Sequence, residues 1–320
     1  MRERTDLIGG SPAMAEVRRR IEVLGPGNLP VLLMGETGTG KEVVARRLHA
    51  LSGRDPFVAV NAAAVSRELL ESELFGHVKG AFSGAARDRV GLIESARGGT
   101  LFLDEIGDMA SSLQAKLLRV LERHEVRPVG TNEPRAVDVR VIAATNRRLD
   151  RDEDRRRADF REDLYYRLAV SSILLPPLRA RPEDIPPLAA YYSGEAGIAP
   201  EAVEVLQAHP WPGNVRQLKS AVVMAAVLAR GEEIRVEHLP KELREEALLA
   251  RAGQIADQAR EGRRYPTLED AEREHVRRTL GLFPESTQEE LAALLGIDRK
   301  TLRRKRRKYG LEREVGGQEG

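Results

Sequence analysis

The chain of 320 residues contains no cysteine. Without thiols it can form neither disulfides nor cysteine-ligated zinc sites, and thiolate catalysis is excluded. Its six histidines are scattered without any His-x-x-x-His spacing, so we expect no structural transition metal. The missing cysteines therefore remove the disulfide-framework, thiol-enzyme and zinc-finger classes of protein.

Long apolar segments and a strong charge excess are missing as well. The start, Met1-Arg-Glu-Arg-Thr-Asp, has no apolar signal core, and the longest purely apolar run, Ala221 to Ala229, is too short to span a bilayer. We therefore expect a cytoplasmic protein with no membrane partner. Because 52 Lys and Arg face 50 Asp and Glu, only a local concentration of charge can indicate a partner.

The hydropathy pattern divides the chain into an α/β part and a helical part. Short apolar runs such as Val31-Leu-Leu-Met, Thr100-Leu-Phe-Leu and Val137 to Ala144 alternate with segments of helical period. Such near-continuous apolar strands are typical of a parallel sheet covered on both faces. Five prolines between Pro176 and Pro187 end this pattern, and only helical periods follow.

A glycine-rich stretch directly after the first predicted strand has the spacing of a phosphate-binding loop. Glycines let backbone N–H groups converge on phosphate oxygens, the following helix N-terminus adds partial positive charge, and Lys41 can reach the outer phosphates. The alternative is a glycine-rich turn that happens to precede a lysine, but the strand before it and the helix after it favour the loop. The expected nucleotide contacts are Gly35, Glu36, Thr37, Gly38, Thr39, Gly40, Lys41 and Glu42.

Polar residues end two further apolar strands. Asp104 and Glu105 follow one of them, where Asp104 can hold Mg²⁺ and Glu105 can polarise the attacking water. Thr145 and Asn146 end the other, at the place of a γ-phosphate sensor, although an ordinary turn is equally open from that stretch alone. Because Glu42 stands where Ser or Thr would bind Mg²⁺, the metal must depend more on Asp104 and on water.

Two arginines, Arg161 and Arg167, stand six residues apart on a predicted helix. In an arbitrary protein such arginines would only be solvated. In a ring-shaped NTPase they could reach the nucleotide of a neighbouring subunit and stabilise transition-state charge.

The order of these motifs resembles the AAA+ domain of sigma-54-dependent transcriptional activators, also called bacterial enhancer-binding proteins. The most specific stretch looks like the family's signature loop Gly-Ala-Phe-Thr-Gly-Ala, with Ser83 in the Thr place. Two glycines permit a sharp mobile tip while Phe82 presents an exposed aromatic ring, although an ordinary glycine hairpin is the alternative. The residues that the resemblance assigns to sigma-54 contact are Gly80, Ala81, Phe82, Ser83, Gly84 and Ala85.

The resemblance covers nearly the whole chain and implies further roles. Asn61 matches the asparagine that restrains the catalytic Glu105, Arg161 and Arg167 match the arginine fingers, and Arg216 matches the second sensor. It also implies ATP and Mg²⁺ as cofactors, and a ring, typically a hexamer, that hydrolyses ATP between subunits. The implied α/β AAA+ P-loop NTPase spans 1–170, a helical lid 171–240, a linker 241–266, a Fis-type helix-turn-helix 267–312, and a flexible tail 313–320.

Basic residues are concentrated near the C-terminus, on the third of three short predicted helices. Asp298 is a good N-cap for that helix and Gly296 suits the turn before it, as in an all-α helix-turn-helix. The alternative is a merely solvated basic surface, but its place on the predicted recognition helix favours double-stranded DNA. The expected DNA contacts are Arg299, Lys300, Thr301, Arg303, Arg304 and Arg307.

The sequence thus predicts an activator that binds upstream DNA as dimers and uses ATP to remodel the sigma-54 RNA polymerase holoenzyme. One alternative is a DNA-binding repressor whose AAA+ fold only binds nucleotide; another is a general AAA+ remodeller. The motor begins almost at Met1 without a receiver or ligand-sensing domain before it. Either the chain has been shortened, or regulation comes from a partner protein or from expression level.

Overall fold

The computed structural model describes residues 7–64, 66–82, 84–246, 267–283 and 286–311. Contacts divide the chain into two units, Met1–Ala247 and Leu248–Gly320. Three sequence expectations lie outside the described residues: Ser83, the part of the predicted linker at 247–266, and the predicted tail at 313–320.

The first unit is built on a parallel sheet of five strands. The strands of the chain are β1 Val31–Met34, β2 Phe57–Asn61, β3 Thr100–Asp104, β4 Glu125–Val126, β5 Arg135–Ala136, β6 Arg140–Thr145 and β7 Ser172–Leu174. The sheet has the order β2-β3-β6-β1-β7, and β4 and β5 form a separate antiparallel hairpin. Strands β1, β3 and β6 are almost wholly buried because helices cover both faces, which explains their continuous apolar sequence.

Alternate residues along the sheet strands pack into two different cores. Leu101 and Leu103 of β3 belong to one apolar cluster, whereas Phe102 between them belongs to the cluster on the opposite face. The covering helices are α1 Pro12–Leu24, α2 Lys41–Ser52, α3 Arg67–Phe75, α4 Leu92–Ser95, α5 Ser111–Arg123, α6 Asp152–Arg157 and α7 Glu162–Leu168.

A smaller helical subdomain with its own core completes the first unit. Trp211 is fully buried there, and its indole N–H donates to the Leu206 carbonyl oxygen at 2.7 Å, so this tryptophan is a packing residue. The helices are α8 Ile185–Ser193, α9 Pro200–Ala208, α10 Asn214–Ala229 and α11, described over 241–246.

The second unit contains three described helices, α12 Leu268–Leu282, α13 Gln288–Leu294 and α14 Arg299–Lys308. The side-chain oxygens of Thr267, Thr287 and Asp298 each accept a backbone N–H in the first turn of the helix that follows. Between α13 and α14, Gly296 has φ +64°, a conformation that favours glycine. The shared core is formed by Val276, Leu291, Ala292 and Leu302.

A buried arginine ties the first strands and helices together. Arg140 of β6 is 1% exposed, and its Nη1 and Nη2 donate to the carbonyl oxygens of Gly25 and Leu24 at 2.7 Å each, where α1 ends. Nη1 also lies 3.3 Å from the Leu48 carbonyl oxygen in α2. Burial lowers the pKa of this guanidinium. Its charge faces the negative ends of two helices.

We expect Arg140→Met to lower the free energy of unfolding by about 3 kcal/mol, because the substitution strands buried carbonyl oxygens that no apolar side chain can satisfy. Urea titration followed by circular dichroism measures this. Arg156→Met, at an exposed position of α6, is the control and should change stability by less than about 0.5 kcal/mol. Equal effects of the two substitutions would contradict the role assigned to Arg140.

Candidate nucleotide site, partner loop and basic helix

The loop between β1 and α2 is closely packed against the helical subdomain. At Gly38, where φ is +80°, a Cβ atom would lie 2.3 Å from the Gly213 carbonyl oxygen, so only glycine fits. Helix α2 begins at Lys41, whose Nζ donates to the carbonyl oxygens of Gly35 at 2.8 Å and Glu36 at 3.3 Å. The lysine side chain therefore lies over the loop, at the N-terminus of a helix.

Opposing charges surround Lys41. Burial lowers the pKa of its ammonium group, the carboxylates of Glu105 and Asp104 act to raise that pKa, and Arg216 acts to lower it. The fold has therefore brought the loop lysine, the acid pair and the arginine of α10 within electrostatic reach of one another. These residues are far apart in the sequence.

The end of β6 links the acid pair to the loop. The backbone N–H of Asn146 donates to Glu105 Oε2 at 3.1 Å, and the Asn146 side-chain amide donates to Thr37 Oγ1 at 3.3 Å. The Gly35 N–H donates to the Thr145 carbonyl oxygen at 3.2 Å. Both residues predicted as a phosphate sensor thus contact the loop.

Asp104 and Glu105 hold different positions at the end of β3. Asp104 Oδ1 accepts the Glu105 backbone N–H at 3.0 Å, and Glu105 has φ +52°. A left-handed backbone is uncommon for glutamate and turns this residue out of the strand direction. The side-chain oxygen of Asn61 accepts the Ala63 N–H at 2.8 Å. The recorded hydrogen bond to the Glu105 carboxylate thus comes from Asn146 and not from Asn61.

Carboxylates for a metal are few at this site. Glu42, which follows Lys41, accepts two hydrogen bonds from Arg46 of the same helix, at 2.8 and 3.0 Å. Among the residues that the structure describes, no group of three or more His, Cys, Asp or Glu side chains could hold a metal ion. A magnesium ion here would depend on Asp104, phosphate oxygens and water, which suits the few protein ligands that Mg²⁺ usually takes.

The helical subdomain supplies contacts that the sequence did not indicate. Arg179 forms a two-pronged ion pair with Glu36, at 2.7 and 2.5 Å, and Asn214 Nδ2 donates to Glu36 Oε2 at 3.2 Å and to the Thr37 carbonyl oxygen at 3.0 Å. Arg179 first, then Asn214, lowers the pKa of Glu36. The Glu36 carboxylate, expected at the nucleotide, is therefore engaged by the helical subdomain.

A second, buried group supports the same loop. Arg181 is 2% exposed, and its Nη2 donates to the Thr39 carbonyl oxygen at 3.2 Å. Its partner Asp184 is fully buried and accepts the N–H and the hydroxyl of Ser11 at 2.9 and 2.6 Å. The backbone N–H of Arg216 donates to the Gly38 carbonyl oxygen at 3.3 Å. The segment before α1 and the helical subdomain together fix the loop.

The two candidate finger arginines are not part of this cluster. Arg161 lies just before α7 and forms a two-pronged ion pair with Asp163, at 3.0 and 2.6 Å, which raises the pKa of Arg161. The Arg167 guanidinium donates to the Leu121 carbonyl oxygen at 3.1 Å. Arg161 thus pairs at the start of α7 and Arg167 joins α7 to α5, and neither guanidinium contacts the phosphate loop among the described residues.

The loop between α3 and α4 is tied by backbone hydrogen bonds and presents an aromatic tip. The Gly80 N–H donates to the Ala85 carbonyl oxygen at 2.9 Å, and the Ala85 N–H donates to that of Phe82 at 3.0 Å. Phe82 is 46% exposed and meets the ring of His77 edge-on, with 5.0 Å between centroids. Gly84 has φ +112°, which favours glycine.

The cations of α14 divide into two sets. Lys305 pairs with Glu272, and Lys308 Nζ lies 2.9 Å from a Glu269 oxygen, so these two lysines bind α12. Among the predicted DNA contacts, the Thr301 hydroxyl donates to Asp298 and Arg299 pairs with Glu289. The members of the other set line one concave surface, to which Lys308 also contributes: Lys300, Arg303, Arg304 and Arg307.

Comparison with known proteins identifies the family. Residues 7–174 match the family described as "Sigma-54 interaction domain", and residues 179–254 match that described as "AAA+ ATPase lid domain". The chain belongs to the sigma-54-dependent activators. It is an AAA+ ATPase of these transcriptional activators, and the α/β fold with a helical lid that the sequence predicted is confirmed.

Similar proteins align with most of the chain. The transcriptional regulatory protein ZraR of Klebsiella oxytoca is 45% identical over 92% of this chain and 67% of its own length. The DNA-binding transcriptional regulator NtrC of Escherichia coli is 43% identical over 96% of this chain and 71% of its own. The crystal structure of NtrX from Brucella abortus with ADP is 36% identical and has a TM-score of 0.68, covering 96% of this chain and 70% of NtrX.

No helix among the described residues combines the length and the apolar character needed to cross a membrane.

Proposed function

We propose that the chain binds ATP between the phosphate loop and the helical lid. Similar NtrX structures were solved with ADP and with ATP. The loop here suits such a ligand because its glycines leave the backbone N–H groups accessible and the Lys41 side chain lies over it. The N-terminus of α2 adds partial positive charge. Arg179 and Asn214 of the lid contact Glu36 and Thr37 of this loop, so the position of the lid would depend on the loop that holds the phosphates.

Within this site, Asp104 and Glu105 would have different roles in hydrolysis. Asp104 would hold Mg²⁺, which would neutralise charge on the phosphate oxygens when bound. Glu105 would orient a water molecule and accept its proton at the carboxylate, and the Asn146 N–H donates to one of its oxygens. Asn61 is a candidate restraint on Glu105 that would require a change in its present hydrogen bond to Ala63.

The site is completed by a neighbouring subunit in this proposal. Arg161 and Arg167 would act on the nucleotide of the next subunit in a ring, typically a hexamer, once they leave their own Asp163 and Leu121 partners. The concave basic surface of α14 would bind double-stranded enhancer DNA as dimeric units, raising the local concentration that assembles the ring. The protein would act in the cytoplasm, where transcription takes place.

The output of this motor is contact with sigma-54 RNA polymerase holoenzyme through the loop that carries Phe82. The observation behind this step is the half-exposed aromatic ring at a glycine-flanked tip, inside the matched interaction domain. ATP hydrolysis would move this loop against sigma-54 and open the promoter complex. Ser83 lies outside the described residues, and its part in the sigma-54 contact stays a prediction.

We expect purified chain to capture sigma-54 stably only when ADP and a metal fluoride that mimics the transferring phosphoryl group are both present. Capture should fall to background without nucleotide and with ADP alone, because loop position depends on the filled site. Size-exclusion chromatography of the mixture measures it. Active ATPase with no capture in any state would contradict the proposal and would favour a DNA-binding repressor or a remodeller of another partner.

A further inference from the structure

A cavity of about 350 Å³ lies between α5 and the loop that joins β4 to β5. We call it the basic cavity, because four cations line it, Lys116, Arg119, Arg123 and Arg127, beside one acid, Glu125. It lies within the residues matched to the sigma-54 interaction domain and is separate from the nucleotide cluster.

Within the part of the chain that the structure describes, three of its cations have no ionic partner. Lys116 Nζ pairs with Glu71 at 2.5 Å, whereas among the described residues no carboxylate lies within ion-pair distance of Arg119, Arg123 or Arg127. Lys116, Arg119 and Arg123 recur at three- and four-residue intervals, which places them on one face of α5. Unpaired like charges that lie close together repel one another, so a bound anion would lower the electrostatic repulsion energy among these cations.

The wall of the basic cavity is bonded to the loop that carries Phe82. The Val78 N–H donates to the Val129 carbonyl oxygen at 3.1 Å, and the Val129 N–H donates to that of Gly76 at 2.9 Å. Gly130 packs directly on Ala81 of this loop, since a Cβ atom at Gly130 would be 2.7 Å from the Ala81 Cβ. A ligand in the cavity would therefore touch residues that directly contact the base of the loop that carries Phe82.

The shape and the lining favour a peptide over DNA. Phe75, Pro128 and Val129 add apolar surface to the arginines. A concave space of this volume admits a few side chains, whereas a duplex is too wide and could meet only its rim. Carboxylates on an acidic peptide could take the forked geometry that arginine prefers, and their neighbours could cover the apolar wall.

We propose that the basic cavity binds an acidic, carboxylate-bearing segment of sigma-54 while the Phe82 loop contacts the same partner. This rests on the proposed function and adds a second, ionic point of contact. The cavity supplies charge recognition and the loop supplies the nucleotide-dependent movement. Affinity for the partner should accordingly fall with rising salt.

The test is capture of free sigma-54, without DNA, by the full chain with ADP and aluminium fluoride. The double variant Arg119→Glu/Arg123→Glu should bind about tenfold more weakly, with ATPase activity unchanged. Arg119→Gln/Arg123→Gln should give a smaller loss and guards against misfolding of the first variant. The matched control, Lys219→Glu/Arg230→Glu, reverses two exposed charges on the lid and should bind like wild type.

The possible outcomes distinguish a failure of this inference from a failure of the proposed function on which it rests. Capture by wild type with equal capture by Arg119→Glu/Arg123→Glu overturns the basic cavity alone. No capture by wild type overturns the proposed function together with this inference. A loss that appears only when promoter DNA is added, with binding of free sigma-54 unchanged, overturns it in favour of the DNA backbone as ligand.

Discussion

Glu105→Gln is expected to lower the ATP turnover number at least about a hundredfold while ATP binding is retained. The amide has the shape of the carboxylate and keeps an oxygen that can accept the Asn146 N–H, now bonded at 3.1 Å. It cannot take a proton from water, so the chemical step fails while the phosphate loop stays intact. Steady-state hydrolysis and binding of a fluorescent ATP analogue measure the two effects separately.

A nearby carboxylate provides the control. Asp108 lies three residues further along and pairs with Arg147 instead of facing the loop. Asp108→Asn removes one negative charge from the same region and should leave turnover within about threefold of wild type, since exposed ion pairs contribute little. Turnover by Glu105→Gln within tenfold of wild type would remove Glu105 from the role of base.

The sequence was sufficient to predict the parallel sheet and the edge of the sheet at which the candidate nucleotide site lies. Buried strands are recognisable as apolar runs, and polar residues at the carboxyl ends of β3 and β6 must gather at one edge of the sheet. What it could not predict is the partner of each side chain. Glu36 stands in the loop motif, yet its carboxylate pairs with Arg179, which comes 143 residues later. Only the tertiary fold decides that pairing.

Helix α14 shows the same difference between local features, which the sequence predicts, and side-chain partners, which only the fold decides. Asp298 and Gly296 predicted the start of α14 and the turn before it, because caps and turns depend on neighbouring residues. The sequence predicted Arg299, Lys300, Thr301, Arg303, Arg304 and Arg307 as DNA contacts, but it could not show which cations of the helix are paired with acidic residues. Packing on α12 separates them, since Lys305 and Lys308 find acidic partners there while Arg303 and its neighbours face outward.

Arg161→Ala is expected to lower turnover about a thousandfold without loss of ATP affinity. The Arg161 side chain pairs with Asp163 and has no recorded contact with the loop of its own subunit, so its removal should leave nucleotide binding intact. Its contribution would come only after it is transferred to a neighbour's nucleotide. Normal hydrolysis by this variant would refute a site shared between subunits.

Mixing two inactive variants distinguishes a shared site from a local one. In a ring of Arg161→Ala and Glu105→Gln subunits, an intact Glu105 sometimes faces an intact Arg161 from the next subunit. Random mixing in equal amounts makes about a quarter of the sites complete, so hydrolysis should recover to that order. If Arg161 served its own subunit, each subunit would lack one essential group and no activity would return. Recovery therefore requires that the acid and the arginine of one working site come from different chains.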